Sequence, residues 1–296
     1  MNRKLLLFIL AALIMLSMSG CGVSFDPDEI EYTIYSSTSD SSSFFQESTD
    51  AAVAQVSSAS DLKLDIQLAE SKITVEDAPS TKTFTFENQS MEMSYSRSEV
   101  LPIQHSQYSN LQKHSVVDVY VKDKKLLKIR HSTGEVIGYY EADLSLKKAN
   151  GDLTKEEASD LAAKLITQLY GKNTLKDYEL KENQFIDSTW RITYTRYLFG
   201  SPTEDTIRIH FNGKGELVFL NAINFGNYQH LKDEISKEHI EYAEKLLRSS
   251  ISSSWTVDNR HWLILDADGK CYVKLIAAQK DAVGILASDE FYINVN

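Results

Sequence analysis

The chain has 296 residues, 42% of them apolar and 25% charged, which excludes a collagen-like, wholly disordered or polytopic membrane protein. Its formal charge is −11, with 31 Lys and Arg against 42 Asp and Glu, so it lacks the basic balance that nucleic-acid binding needs. Two cysteines are too few for a disulfide scaffold.

At the N-terminus, Arg3 and Lys4 precede an unbroken apolar run from Leu5 to Leu16, followed by Ser17-Met18-Ser19-Gly20-Cys21. A positive start, a short apolar run and small residues at its end form the pattern of a secretory signal. The run is too short to span a bilayer, which needs about 20 apolar residues. Met18-Ser19-Gly20-Cys21 resembles the lipobox of bacterial lipoproteins, departing from it at Met18, where an aliphatic residue is usual. The resemblance implies cleavage before Cys21 and a diacylglycerol on its thiol. Two or more acyl chains hold a protein stably at a membrane, where one is marginal. Loss of residues 1–20 takes Arg3 and Lys4 with it, and the net charge moves from −11 to −13. An acidic body of that charge is repelled by an anionic bilayer surface.

Residues 22–60 contain no Lys or Arg, seven acidic residues and a serine-dense run at 36–43. This composition predicts a flexible tether over 21–60, with a typical reach on the order of 35 Å. Within it, Tyr32, Ile34, Tyr35 and Phe44-Phe45 are small apolar islands able to dock on a folded body.

From Asp61 the pattern changes. Strict alternation marks Leu62 to Leu68, then Phe84 and Phe86, then Met91, Met93 and Tyr95, then Val117, Val119 and Val121. Leu127 and Ile129 and the run Val136 to Tyr139 flank His131-Ser132-Thr133-Gly134-Glu135, a hairpin turn. Residues 61–150 therefore read as a β-rich, antiparallel region.

The period then becomes helical. Thr154-Lys155-Glu156-Glu157 is a capping box, and Ala158, Leu161, Ala162, Leu165, Ile166 and Leu169 fall on one face, with Gly171 as the stop. Alternating Trp190, Ile192, Tyr194 and Ile207, Ile209, Phe211 follow, with a turn at Asn212-Gly213-Lys214-Gly215. The order recurs: Ser236 caps a second helix carrying Ile240, Ala243, Leu246, Leu247 and Ile251, and strands follow to Val295. Thr154-Lys155-Glu156 aligns with Ser236-Lys237-Glu238 as a weak internal repeat. The expected fold class is α+β: a β-rich N-terminal region, then two helix-on-antiparallel-sheet units over 151–230 and 231–296.

A capped helix of the type Ser/Thr-Lys-Glu followed by a β-meander with a Gly turn is similar to PepSY-like domains, over Leu153–Phe225 and more weakly Ile235–Val295. The resemblance implies a helix packed on an antiparallel sheet and no catalytic residues. Some members of that family are associated with restraining extracytoplasmic peptidases.

No HExxH, paired Cys/His spacing or GxSxG occurs, so neither a metal site, a cofactor nor a nucleophile elbow is expected. Ser145-Leu146-Lys147-Lys148 and Ser60-Asp61-Leu62-Lys63 match Ser-x-x-Lys without its partner motifs. Asp266-Ala267-Asp268-Gly269 resembles the start of a calcium loop, but the twelfth position is Ala277, and a hairpin turn accounts for it better. His210, alternating with Ile209 and Phe211, is expected to face solvent. Lys122, Lys124, Lys125, Lys128 and Arg130 form the one basic run, read as the wet face of a strand. Trp190, Tyr194, Tyr197 and Phe199 gather near Gly200-Ser201-Pro202 and are the candidate binding residues, although a sheet also needs such side chains to pack a helix.

The expectation is a non-enzymatic, lipid-anchored module outside the bacterial cytoplasmic membrane, attached through Cys21 and binding a protein or peptide partner. A structural accessory subunit of an envelope complex is the alternative, and a hydrolase is the weaker third.

Overall fold

The computed structural model describes residues 32–36, 55–58, 72–73, 78–87, 89–100, 116–222, 224–266, 269–280 and 285–296. The leader, Cys21, Phe44-Phe45, the alternation at 62–68 and Ser60 lie outside the described residues.

The expected helices form where the caps place them. In α2 (Lys155–Tyr170), after a one-turn helix α1 (Leu144–Lys147), the Thr154 hydroxyl accepts from the Glu157 amide while the Glu157 carboxylate accepts from the Thr154 amide. Gly171, at φ 96°, closes the helix by donating to the Thr167 carbonyl. In α3 (Lys237–Ser250) a histidine takes the place of the glutamate: the Ser236 amide donates to His239 Nδ1 at 3.2 Å. Each helix buries one face, Ala158, Ala162, Leu165 and Ile166 in the first and Ile240, Ala243 and Leu247 in the second.

The strands are β1 (Thr33–Ser36), β2 (Gln55–Ser58), β3 (Lys72–Ile73), β4 (Thr81–Phe86), β5 (Gln89–Val100), β6 (Val116–Lys122), β7 (Lys125–Arg130), β8 (Val136–Glu141), β9 (Tyr178–Ile186), β10 (Thr189–Leu198), β11 (Ser201–Asn212), β12 (Leu217–Asn221), β13 (Trp255–Leu265), β14 (Cys271–Lys280) and β15 (Ile285–Asn294). Their pairing corrects the expected fold class. The chain is mostly β, and its strands join in one mixed sheet rather than in a β region and two separate helix-on-sheet units. Antiparallel β8–β12 pairing joins the N-terminal meander to the middle one, and a parallel bridge between Thr203 of β11 and Leu263 of β13 joins the middle to the C-terminal strands. The physical cause is that every meander ends in an edge with unpaired N–H and C=O groups, and pairing two such edges satisfies both.

The start of the expected tether belongs to this sheet. β1 pairs antiparallel with β15 and parallel with β2, and Ile34 is fully buried. The apolar island thus docks, adding a strand to the C-terminal part of the sheet.

Among the described residues two large apolar cores form, beside two small clusters. One holds α2 against Phe84, Met93, Tyr120, Leu127, Ile192 and Phe211, so the N-terminal strands cover the same helix as the middle ones. The other holds α3 against Ile34, Val273, Leu275, Phe291 and Ile293. The β10–β11 hairpin serves both: Tyr194 and Ile207 enter the first core and Leu198 the second. Its turn places Phe199 at φ 53° and Gly200 at φ 84°, the geometry a two-residue hairpin needs.

Backbones cross closely where the chain enters α2. Gly213, in the turn between β11 and β12, donates to the Ala149 carbonyl, and its own carbonyl accepts from Leu153. A Cβ on Gly213 would lie 2.6 Å from the Gly151 nitrogen, inside backbone that cannot rotate away. Gly213→Ala is expected to destabilise the fold by about 1–3 kcal/mol, measured by urea denaturation. Gly134→Ala offers the control, since a Cβ there meets nothing within 4 Å and only its φ of 72° is strained.

Candidate functional site

The four candidate aromatics do not form one groove. Trp190 packs under α2 and donates through Nε1 to the Leu153 carbonyl at 2.9 Å, and Tyr194 is buried in the same core. Tyr197 lies beneath the Lys181 ammonium, 4.1 Å from the ring centroid. Phe199 packs on the other core. The register that places Trp190 and Tyr194 on the helix-facing side serves packing.

Three buried polar clusters hold residue types capable of chemistry. In the first, Asp118 accepts from Ser98 Oγ at 2.5 Å through one oxygen and lies 2.9 Å from His131 Nδ1 through the other. A serine nucleophile needs the imidazole between hydroxyl and carboxylate. Here the carboxylate is in the middle, so His131 does not reach the Ser98 proton, and the set ties β5, β6 and the β7–β8 turn together.

In the second, Ser201 Oγ lies 2.7 Å from His261 Nε2, and His261 Nδ1 has no partner among the described residues. The contact resembles a serine–base pair, but Ser201 is fully buried, and no acid orients the ring from its far side. It fastens β11 to β13 beside their parallel bridge.

The third lies between the two cores. Asp205 on β11, fully buried, accepts from Tyr178 Oη at 2.6 Å, Arg196 Nε at 2.9 Å and the Gly226 amide at 3.0 Å. Burial pushes its carboxyl up to about 6, while Arg196, Tyr178 and Gly226 oppose the rise. Arg196 is itself 4% exposed. It also reaches Asp177, which in turn holds Lys232.

The sequence motifs have structural employment. Ser145 of the Ser-x-x-Lys match donates to Asp143, the residue capping α1. Asp266 accepts from the Lys270 amide and from Tyr272 Oη, closing the turn between β13 and β14. Among the described residues no three metal-ligating side chains gather. In the basic run, Lys124 pairs with Asp143, Lys125 with Glu141, Lys128 with Glu99 and Arg130 with Glu135. Cys271 is free and fully buried, and burial raises its thiol well above the ordinary value. A thiol reagent is therefore expected to label Cys271 orders of magnitude faster in denaturant than in the native chain, followed by absorbance or mass.

The arrangement that points outward is on the face of the sheet opposite α2. Strand register aligns one row across six strands: Val121 opposite Leu126, Leu126 opposite Tyr140, Tyr140 opposite Phe219, Phe219 opposite His210, and His210 opposite Arg191. Tyr140 is 43% exposed, and the His210 and Phe219 rings stack at 4.6 Å. His210 is half-buried rather than fully solvated, and burial, with Arg191, Arg208 and Lys147 nearby, pushes it down to about 4 against the pull of Glu182. It is a neutral ring near pH 7. Lys147, at the end of α1, sits 3.8 Å over the Tyr140 ring. Leu144 and Leu146 of α1 are also exposed. Sequence reasoning missed this row. The signal was present: Tyr139-Tyr140 and Val218-Phe219-Leu220 are apolar on both faces, which alternation alone does not require.

No family model matches the chain, and no curated protein matches it. Among solved structures the chain is similar to the C-terminal domain of Bacillus megaterium YpeB, at 13% identity and a TM-score of 0.32, covering 59% of this chain and 82% of that one. A likeness of that size carries no argument about activity.

Proposed function

We propose that the protein is an extracytoplasmic lipoprotein, anchored through Cys21, whose body is a non-enzymatic binding module for a protein or peptide partner. The observation that carries the binding reading is the outward row of Leu126, Tyr140, Phe219 and His210: aromatic surface on the open face of a sheet, beside guanidinium and ammonium groups. The leader and Cys21 support the location. Among the described residues no helix is long and apolar enough to cross a membrane. The two serine–histidine clusters are read as fasteners, because one has its carboxylate in the wrong place and the other a fully buried hydroxyl. The test is a pull-down of the intact lipoprotein from detergent-solubilised membranes. One partner recovered in stoichiometric amount is the expected result. Recovery of none overturns the reading, as does hydrolysis of a peptide or ester substrate that Ser98→Ala or Ser201→Ala abolishes.

A further inference from the structure

We propose that the outward row across β6, β7, β8, β12, β11 and β10 is the docking site for an extended peptide segment that is acidic at one end and apolar at the other. This rests on the binding-module reading and names its ligand.

The chemistry of the row is graded. At one end, Val121 and Leu126 are apolar; in the middle stand Tyr140, Phe219 and His210; at the other end are Arg191 and, on the same strand as His210 and two residues away, Arg208. Among the described residues, Arg208 is exposed and has no ion-pair partner, and Lys147 has none beyond the face of Tyr140. Arg191 pairs through one Nη with Asp187, whose side chain is 80% exposed, and its Nε–H has no acceptor among the described residues. Glu182 pulls against the depression of His210, and it already accepts from Thr193. From Tyr140 to Arg191, the three cations Lys147, Arg208 and Arg191 therefore stand beside the two carboxylates Asp187 and Glu182, a local excess of positive charge on a chain of net charge −11. Cations without partners, on an acidic protein, complement a carboxylate-bearing ligand.

Length fits as well. Six strands at about 4.8 Å between neighbours make the row about 24 Å long. A fully extended segment of about seven residues covers the same distance at about 3.3 Å per residue. Aromatic side chains on a rigid sheet give an apolar ligand residue contact area at low entropic cost. A peptide is favoured over an anionic polymer because half of the row offers no charge to bind. It is favoured over a lipid surface because four of the five cations of the neighbouring basic run are already paired with carboxylates.

The experiment uses the full lipidated chain in detergent micelles and a displayed library of random heptapeptides. Enrichment of peptides with Asp or Glu at one end and aromatic or aliphatic residues at the other is expected. The enriched peptides should bind at least about tenfold more weakly to an Arg208→Gln/Lys147→Gln chain, and about tenfold more weakly to Tyr140→Ser, both still melting as wild type. Lys181→Gln, on the edge strand, should leave binding unchanged. No enrichment, enrichment without acidic residues, or binding indifferent to all three substitutions overturns the proposal. So does equal binding of polyphosphate or of phosphatidylglycerol vesicles, which would show that the apolar half is not used. A pull-down partner retained by the triple variant Arg208→Gln/Lys147→Gln/Tyr140→Ser would overturn this site and leave the binding-module reading standing.

Discussion

Replacing Arg196 by Met is expected to lower the unfolding free energy by about 3–5 kcal/mol at pH 7–8, measured by urea denaturation. The methionine keeps the stem, so the loss isolates the guanidinium. Arg196 Nε donates to Asp205, a fully buried carboxylate, and without it that carboxylate keeps only Tyr178 and the Gly226 amide. The pH dependence follows from the sign of the Asp205 shift. Burial holds its folded value at about 6, above the unfolded value of about 3.9, so the folded chain binds the proton more tightly. The stability that this gives is fully present below about pH 4 and is lost as pH rises through about 6. Arg196 is the largest cause opposing that rise. In Arg196→Met the window therefore moves up, and stability goes on falling above pH 6, where this group's contribution in wild type is level. Lowering the pH should restore part of the loss. Arg260→Met is the control: its pair with Asp258 leaves the Arg260 side chain 74% exposed, and the urea midpoint should stay at the wild-type value. A control loss equal to that of Arg196→Met, or an Arg196→Met loss unaffected by pH, would contradict this account.

Cys21→Ser is expected to abolish stable membrane attachment. Serine keeps the size and polarity of the position but removes the sulfur that thioether formation with diacylglycerol requires. Each acyl methylene contributes about 0.8 kcal/mol of membrane affinity, so losing the chains removes essentially all of it. A body of net charge −13 after leader removal does not replace that affinity at an anionic surface. The variant should be found either in the aqueous phase of a detergent partition or uncleaved, with Leu5 to Leu16 still inserted. N-terminal mass analysis separates the two. A wild-type chain in the aqueous phase with an unmodified N-terminus would remove the anchor from the proposed function.

Local chemistry made several elements legible. The Thr154–Glu157 box and Gly171 bound a helix because the groups that satisfy its orphan amides and carbonyls lie within four residues of it. The turn at 131–135 and the turn at 212–215 were legible for the same reason: Gly134 and Gly215 adopt positive φ, and the Asn212 side chain accepts from Lys214 and Glu216. β9 was not legible. Glu179, Lys181, Glu182 and Gln184 leave an apolar alternation too weak to read, and that composition is what an edge strand, paired on one side only, tolerates. Ile34 was legible as an apolar residue able to dock, but β15, which receives it, lies some 250 residues further along the chain.

By itself the sequence determined the acidic balance, from its composition, and the positions of α2 and α3, because each helix end depends on a pattern within a few residues. The tertiary structure alone decided that the meanders fuse through β8–β12 and β11–β13 into one sheet, that Arg196 and Asp205 share the space between two cores, and that Leu126, Tyr140, Phe219 and His210 form one surface. The reason is the same in all three cases. Hydrogen bonding between strands is blind to side chain and to distance along the chain, so register, and with it every neighbour across a sheet, is set by which edges meet.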